Sequence, residues 1–192
     1  AGKTTLMKIL CGQHLPDSGT IEIHGQPTKL NSAADAKALK IGMVSQHYSI
    51  IPELTCLDNL MLGSEHGIVL NRKVARERAA ELAHQMGFQF EWEQPASILS
   101  PAAAQKLEIL KLLWKNADLM ILDEPTAMLS PSDSDALFGS LRELAQKGKT
   151  ILVVTHRIPE VLEHCSRVTV LRGGKTVAER QVSELNANQL AE

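Results

Sequence analysis

Two uninterrupted apolar runs, each followed by polar or acidic residues, constrain the fold of this chain most. They occupy residues 119–123 (LMILD) and 150–156 (TILVVTH). Continuous apolar segments of this length are typical of strands buried on both faces of a parallel sheet. A helix is predicted between them over residues 132–147, and such a strand–helix–strand unit forms a right-handed crossover. The sequence therefore predicts an α/β fold.

Other periodic segments predict how the chain is divided. Helices are predicted over residues 4–10, 74–86 and 100–115, strands over 20–24 and 41–46, and a hairpin over 167–179. From these elements we predict an α/β core interrupted by a helical subdomain. The predicted boundaries are residues 1–47 and 119–182 for the core, about 48–118 for the helical subdomain, and 183–192 for a C-terminal tail.

Composition excludes several classes of protein. The 192 residues are 44% hydrophobic and 22% charged, which is ordinary for a globular chain and unlike a disordered or collagen-like one. A formal net charge of −2 provides no basic field for non-specific binding of nucleic acid. The three cysteines are widely spaced, which disfavours a zinc site and fits a reducing compartment.

The residues Gly2, Lys3, Thr4 and Thr5 match the second half of a phosphate-binding loop, G-x-x-x-x-G-K-[ST]. Such a loop needs a glycine for close backbone approach, a lysine for the β- and γ-phosphate oxygens, and a hydroxyl that binds Mg²⁺. A helix beginning there directs N–H groups at the anion. Thr4 is the candidate metal ligand and Thr5 a candidate second phosphate contact. Because so short a motif also occurs by chance, it needs a partner elsewhere.

Asp123 and Glu124, at the end of a predicted buried strand, are that partner. Asp123 can reach the coordination shell of a Mg²⁺ ion, and Glu124 can polarise an attacking water. A core strand that simply ends at an acidic helix entry would show the same residues. The upstream phosphate-loop residues favour nucleotide binding over that alternative.

The segment LDEPTA at residues 122–127, followed by Thr155-His156, resembles the ATP-binding cassette of ABC transporters. The resemblance covers nearly the whole chain. It implies a RecA-like P-loop NTPase core with an inserted helical subdomain, and ATP and Mg²⁺ as ligands. It also implies that Gln46 is the Q-loop glutamine, which contacts the metal and couples to a membrane partner, and that His156 is the switch histidine at the γ-phosphate. Read as residues alone, both are also compatible with ordinary strand ends.

Finer features resemble one branch of that family. The segments TLMKILCG, PDSGTIEIHG, DEPTAMLSP and VTVLRGGKTV are similar to cassettes of bacterial importers for monosaccharides and nucleosides. In that branch two cassettes often lie in tandem in one polypeptide. The first half of the phosphate loop and the first strands of the family would precede Ala1, so we expect the chain to be N-terminally truncated.

The signature loop of the family, LSGGQ or LSVGEQQ in this branch, is altered. Residues 99–105 read LSPAAAQ, with Ala102 at the glycine position and Ala103 at the Gln/Glu position. Pro101 removes an N–H and Ala102 adds a methyl group where the backbone should approach the partner cassette's nucleotide. We therefore expect a degenerate loop with weakened γ-phosphate contact, although the same residues also make a good helix start. The positions that fit the family are Leu99, Ser100 and Gln105.

The resemblance implies an ATP-binding and hydrolysing subunit of an importer, peripheral on the cytoplasmic face of the membrane, that serves uptake of a sugar or nucleoside. Lys3, Thr4, Gln46 and Asp123 would bind Mg-ATP, and Glu124 and His156 would be catalytic. The expected partners are a second cassette, transmembrane permease subunits and, indirectly, a periplasmic or surface solute-binding protein, with no nucleic acid.

Two alternatives remain open from the sequence. A degenerate cassette could bind nucleotide as the structural partner of a competent one, which the altered signature loop favours. A soluble ABC ATPase could act on DNA or ribosomes, which the net charge of −2 disfavours.

Overall fold

A three-stranded parallel sheet forms the centre of the computed structural model, which describes residues 2–45, 49–63 and 71–185. The strands in chain order are β1 (Ile21–Ile23), β2 (Gln26–Thr28), β3 (Ile41–Val44), β4 (Leu119–Asp123), β5 (Thr150–Val154), β6 (Arg167–Arg172) and β7 (Lys175–Gln181). The α-helices are α1 (Lys3–Leu10), α2 (Ala33–Ala38), α3 (Cys56–Met61), α4 (Arg72–Gln85), α5 (Pro101–Trp114), α6 (Pro131–Gln146) and α7 (Ile158–His164). Two 3₁₀ turns span Ala96–Ile98 and Val182–Glu184.

The central sheet has the order β3-β4-β5, and its strands are in register at both ends. Asp123 of β4 lies opposite Val154 of β5, and Leu122 lies opposite Val44 of β3. The carboxyl ends of all three strands therefore reach one edge, where loops following parallel strands form ligand sites. This arrangement confirms the predicted α/β fold. The pairs β1-β2 and β6-β7 are separate antiparallel hairpins.

Side chains of β4 alternate between two buried clusters, one on each face of the sheet. Ile121 joins Met7 of α1 on one face, whereas Met120 and Leu122 join the larger cluster on the other. This alternation is the period-2 geometry of a strand, and with both faces covered it produces a continuous apolar run.

The larger cluster joins the helical segment to the sheet. Helices α3, α4 and α5 contribute buried side chains to it, and so do β3, β4 and α6. Gly42 lets α5 approach the sheet closely, because a Cβ there would lie 2.7 Å from Leu112 Cδ2. Since helical and sheet residues share this core, the division into core and helical subdomain stays a prediction.

A buried ion pair ties α5 to the segment that follows β3. Lys111 Nζ lies 3.1 Å from Glu108 Oε1, and both side chains are under a tenth exposed. Ser49 donates to Glu108 through its backbone amide and its hydroxyl, each at 3.1 Å, while its carbonyl accepts from Lys111 Nζ at 3.3 Å. These contacts hold residue 49 against the helix.

Charged residues also hold the amino edge of the sheet, opposite the strand ends described above. Asp118, just before β4, accepts from Lys149 before β5 at 2.7 Å and pairs with Lys40 before β3 at 3.2 Å. Hydrogen bonds from these lysines hold the pKa of Asp118 below its usual value. The three strand entries are thus connected through one carboxylate.

Most predicted elements are confirmed in type, with boundaries shifted by one or two residues. The predicted strand over 41–46 ends at Val44, and the predicted helix over 74–86 begins two residues earlier, at Arg72. Among the α-helices and strands, four short ones, α2, α3, α7 and β2, were not predicted individually. They span six, six, seven and three residues, too few for their periodicity to stand out. In the described part of the chain, no helix is both long enough and apolar enough to cross a membrane.

Candidate functional site

Helix α1 begins at the carboxyl edge of the sheet, next to the end of β5. Its N-cap, Gly2, has φ 95°, a left-handed conformation that glycine adopts without steric cost. A Cβ there would also lie 3.3 Å from the Gly174 Cα. Lys3 Nζ donates to the Thr155 carbonyl at 3.1 Å, which places its ammonium group at the end of β5. The first N–H groups of a helix lack intrahelical partners and attract anions.

Thr4 and Asp123 meet across the same edge. Thr4 Oγ1 donates to Asp123 Oδ2 at 3.2 Å, although the two residues are 119 positions apart. Hydroxyl and carboxylate oxygens are the hard ligands that Mg²⁺ prefers, and adjacent ligands in an octahedron of about 2.1 Å bonds lie about 3 Å apart. The pair therefore fits a Mg²⁺ ion. Thr5 is exposed in the first turn of α1.

Glu124 and His156 form the second contact at this edge. His156 Nδ1 lies 2.9 Å from Glu124 Oε1, and because a carboxylate only accepts, Nδ1 is the donor. The Glu124 side chain is 15% exposed and that of His156 72%. Glu124 Oε2 is buried, and none of the described residues donates to it. A carboxylate with one oxygen held by a histidine and the other unoccupied can orient a water and take its proton.

The backbone of Glu124 is strained in a way that points its side chain into this edge. Its φ of 52° lies in the left-handed region, which non-glycine residues seldom adopt. A hydrogen bond from Glu124 N to the Val154 carbonyl, at 2.8 Å, holds the turn against β5. Such outliers cluster at functional sites.

Most of the predicted nucleotide-site residues come together. The structure places Gly2, Lys3, Thr4 and Thr5 at the start of α1, beside Asp123, Glu124 and His156 at the ends of β4 and β5. Gln46 lies outside the described residues, so its position in the site stays a prediction.

The altered signature loop forms a conventional helix start. Ser100 is the N-cap of α5, and its Oγ accepts from the Ala103 amide at 3.2 Å. The Ala104 amide donates to the Ser100 carbonyl at 2.9 Å, so two amides of the first turn are engaged by this one residue. Ala102 is half-buried against the large core, and Gln105 is 5% exposed. The predicted effect of this loop on γ-phosphate contact stays a prediction.

Helix α6 begins beside the signature helix. Ser130 is the N-cap of α6 and accepts from the Asp133 amide at 3.2 Å. Asp133 also pairs with Lys106 of α5 at 2.9 Å. Hydrogen bonds from Lys106 and Ser130 hold the pKa of Asp133 below its usual value. The starts of the two helices are therefore joined.

One polar network at the site has no counterpart among the residues predicted from the sequence. Glu160, in the first turn of α7, accepts hydrogen bonds from Thr126, which follows Glu124 in the chain, and from Thr155, which precedes His156. In the sequence, the signal for Glu160 is an acidic residue four positions after His156. No role is predicted for it because α7, which carries it, is not predicted.

A cluster of potential metal ligands also lies away from the site. One ligand atom each from Asp135, Glu163 and His164 falls within 4.8 Å of the others. Arg142 lies 3.4 Å from His164 Nδ1, and the imidazole stacks on Phe138 with a centroid distance of 4.4 Å. A cation beside the ring disfavours a metal, so we assign His164 to packing between α6 and α7.

A parallel sheet with a glycine-initiated helix, a lysine and paired acids at its carboxyl edge defines a P-loop nucleotide-binding protein. The family model for ABC transporters matches residues 1–127. The chain belongs to the ABC transporter family.

Relatives and solved structures agree with this assignment. The chain is 43% identical over 193 residues to the ribose import ATP-binding protein RbsA 2 of Burkholderia ambifaria. It is 36% identical over 194 residues to the nucleoside import ATP-binding protein NupA of Lactococcus lactis subsp. cremoris. The alignments cover 99% and 100% of the chain but only 38% of each relative's length.

Among solved structures, the chain is similar to the ATP-binding cassette MJ0796 in a dimeric post-hydrolysis state bound to ADP and Pi. The TM-score is 0.82 at 25% identity, covering 94% of this chain and 81% of that one. It is also similar to the ADP conformation of the cassette MJ1267, with a TM-score of 0.84 at 25% identity, covering 100% of this chain and 80% of that one. These likenesses confirm the predicted cassette fold.

Proposed function

We propose that this chain binds and hydrolyses Mg-ATP as a cassette of an ABC importer. The observation that carries the proposal is the meeting of two pairs at one sheet edge. Thr4 lies 3.2 Å from Asp123, and Glu124 lies 2.9 Å from His156. The first pair supplies oxygen ligands for a metal and the second supplies a base, which together are the parts that phosphoryl transfer to water requires.

Nucleotide binding is assigned to the start of α1. Gly2 allows the backbone to approach the phosphates, Lys3 neutralises the β- and γ-phosphate oxygens, and Thr5 adds a second phosphate contact. Thr4 and Asp123 would hold Mg²⁺, together with Gln46. The ion, when bound, neutralises charge that develops on the phosphate oxygens.

Hydrolysis is assigned to Glu124 and His156. Glu124 orients a water and accepts its proton as the water oxygen bonds to the γ-phosphorus and the bond from that phosphorus to ADP breaks. His156 donates from Nδ1 to Glu124, and the doubly protonated form of the ring would offer Nε2–H to a γ-phosphate oxygen. Its 72% exposure leaves the ring accessible to a ligand.

The transport role comes from the relatives' names. Ribose and nucleoside import ATP-binding proteins support a sugar or nucleoside as the imported solute. We propose a second cassette, transmembrane permease subunits and, indirectly, a solute-binding protein as partners, and a peripheral position on the cytoplasmic face of the membrane. A dimeric cassette among the structural relatives supports the first of these partners.

The alternative of a degenerate structural cassette draws no support from the comparisons. The Glu124–His156 pair, which a cassette without turnover does not need, argues against it. The altered signature loop, with its start capped by Ser100, is the feature that still separates this chain from its family.

The proposal is tested with Glu124→Gln in the full-length natural protein. The amide keeps the shape of the side chain but cannot take the water's proton, so we expect hydrolysis at this site to fall roughly 10²-fold or more. Mg-ATP should remain bound, and the variant should retain about one additional ATP per chain unhydrolysed. The measurements are phosphate release and the nucleotide recovered from the isolated protein.

The matched control is Glu143→Gln on the exposed face of α6, which should behave as wild type. Unaltered phosphate release by Glu124→Gln would remove Glu124 from the role of base. A wild-type protein that retains ATP without releasing phosphate would instead favour the structural cassette.

A further inference from the structure

Glu160 of α7 contacts the two loops that carry Glu124 and His156. Its Oε1 accepts from Thr126 Oγ1 at 2.7 Å, and its Oε2 accepts from Thr155 Oγ1 at 3.2 Å. Thr126 follows Glu124 by two residues, and Thr155 immediately precedes His156. One carboxylate therefore bridges the loops after β4 and β5, using one oxygen for each.

We propose that Glu160 is a positioning residue, which acts through Thr126 and Thr155 to keep Glu124 and His156 within hydrogen-bonding distance. The inference rests on the proposed hydrolytic function and deepens it. Glu160 does not act on the reacting atoms itself, because both of its oxygens are engaged by protein donors.

The burial of this network makes its geometry specific. Thr126 is completely buried, and the Glu160 side chain is 12% exposed. Arg157 adds two contacts, from its guanidinium to Glu160 Oε1 at 3.2 Å and from its amide to Thr155 Oγ1 at 3.0 Å. A carboxylate removed from water is costly unless donors satisfy it, so few arrangements of these side chains are favourable.

The strained turn at Glu124 explains why the contacts made by Glu160 are needed. A left-handed non-glycine residue persists only where its surroundings hold it. The turn is held at its start by the hydrogen bond from Glu124 N to the Val154 carbonyl. The contact between Thr126 and Glu160 holds it two residues later. The Ala127 amide also closes the turn on the Glu124 carbonyl, at 3.2 Å, so the contact with Glu160 is what ties this local turn to α7. Without it, the turn can shift and move the Glu124 carboxylate.

Thr155 connects the Glu160 network to the phosphate-binding residues at the start of α1. Its hydroxyl donates to Glu160, while its carbonyl accepts from Lys3 Nζ at 3.1 Å. A shift of Thr155 would therefore move His156, and it would reach the lysine only as long as the ammonium stays on this carbonyl and not on nucleotide. Displacements of about 1 Å at reacting groups can reduce rates about 10²-fold.

A purely structural role for Glu160 makes a different prediction. An acidic residue in the first turn of a helix stabilises it through the helix dipole. If that were its only role, Glu160→Gln would lower the melting temperature and leave the turnover of the folded protein unchanged.

The test compares Glu160→Gln with Glu163→Gln in the full-length natural protein. The amide of the first variant keeps one acceptor oxygen, but its NH₂ cannot accept from the second threonine. We expect kcat for ATP hydrolysis to fall roughly tenfold or more, with KM for ATP changed less than about twofold. Glu163 is on the same helix with a side chain 70% exposed, and its variant should match wild type.

A second readout does not depend on hydrolysis. In wild type, the ¹⁵N spectrum of the His156 ring should show the proton on Nδ1, since Glu124 accepts from that atom. In Glu160→Gln the two tautomers should average as the contact loosens. If the wild-type protein does not hydrolyse ATP but Glu160→Gln still shows this change of tautomer, the positioning role is supported and the proposed function is contradicted. An unchanged kcat, or an unchanged tautomer signal in the folded variant, would overturn the positioning role.

Discussion

Lys3 shows how a single residue can be placed for a ligand while bonded within the protein. Within the described residues, its ammonium donates to a neutral acceptor, the Thr155 carbonyl. A phosphate oxygen carries negative charge and forms a stronger, charge-assisted bond with an ammonium. Exchange of the carbonyl for phosphate is therefore favourable, and it would free Thr155 at the moment of nucleotide binding.

At this scale we predict that Lys3→Ala weakens Mg-ATP binding roughly tenfold or more, because a charged phosphate contact of about 1.4 kcal/mol or more is lost. The affinity is measured by titration of the full-length natural protein with Mg-ATP. Lys8→Ala, in the last turn of the same helix, is the control and should bind as wild type. Superimposable titration curves for Lys3→Ala and wild type would remove Lys3 from the nucleotide site.

Helix α5 begins with residues that favour a helix, but the same residues match the signature loop of the family poorly. Ser100 at the N-cap and Pro101 at the first position favour the helix, and the structure confirms the capping hydrogen bond. The Ser100 side chain also occupies the Ala103 amide, which is therefore not left free for a ligand. Local stability and recognition of an anion thus compete at this helix terminus.

We predict that the triple substitution Pro101→Val, Ala102→Gly and Ala103→Glu raises ATP-dependent dimerisation and turnover, because it returns an N–H and removes a methyl group. It should also lower stability, by up to about 1 kcal/mol for glycine near a helix start. The ATPase rate is measured against protein concentration, with thermal melts alongside.

Because Ala102 packs against the core, Ala102→Gly alone is the control for lost packing. It should reproduce the stability loss without the full gain in turnover. A folded triple variant with wild-type rate would mean that the native loop is already adequate.

At the scale of the whole molecule, the buried pair of Glu108 and Lys111 joins α5 to the segment that follows β3. The pair holds Ser49, in the segment after β3, against α5. Removing one member would leave a buried charge without its partner, whereas removing both leaves no such charge. The pair can therefore be tested through stability alone, without reference to the proposed function.

We predict that Glu108→Leu lowers the free energy of unfolding by roughly 3–5 kcal/mol, because the buried Lys111 ammonium loses its carboxylate partner. The double variant Glu108→Leu, Lys111→Met should be more stable than the single one by about 1 kcal/mol or more, although the Ser49 carbonyl then loses its Lys111 donor. Urea unfolding measures both. Glu81→Leu on the exposed side of α4 is the control, with an expected change within about 0.5 kcal/mol. A double variant less stable than the single would contradict the explanation that an unpaired buried charge causes the loss.

The sequence by itself determined the elements whose signals are local. The apolar runs that became β4 and β5, the capped start of α5 and the glycine pair between β6 and β7 each follow from residues close together in the chain. The site residues at the ends of buried strands were predictable for the same reason, because parallel strands bring their carboxyl ends to one edge.

Only the tertiary structure decided which distant side chains meet. That Ser49 packs over a buried ion pair and that Glu160 bridges two loops depend on register and packing between segments far apart in sequence. Periodicity and propensity carry no information about such pairs. A buried polar group must find its partner wherever the fold places one, and that requirement is met only after the chain has folded.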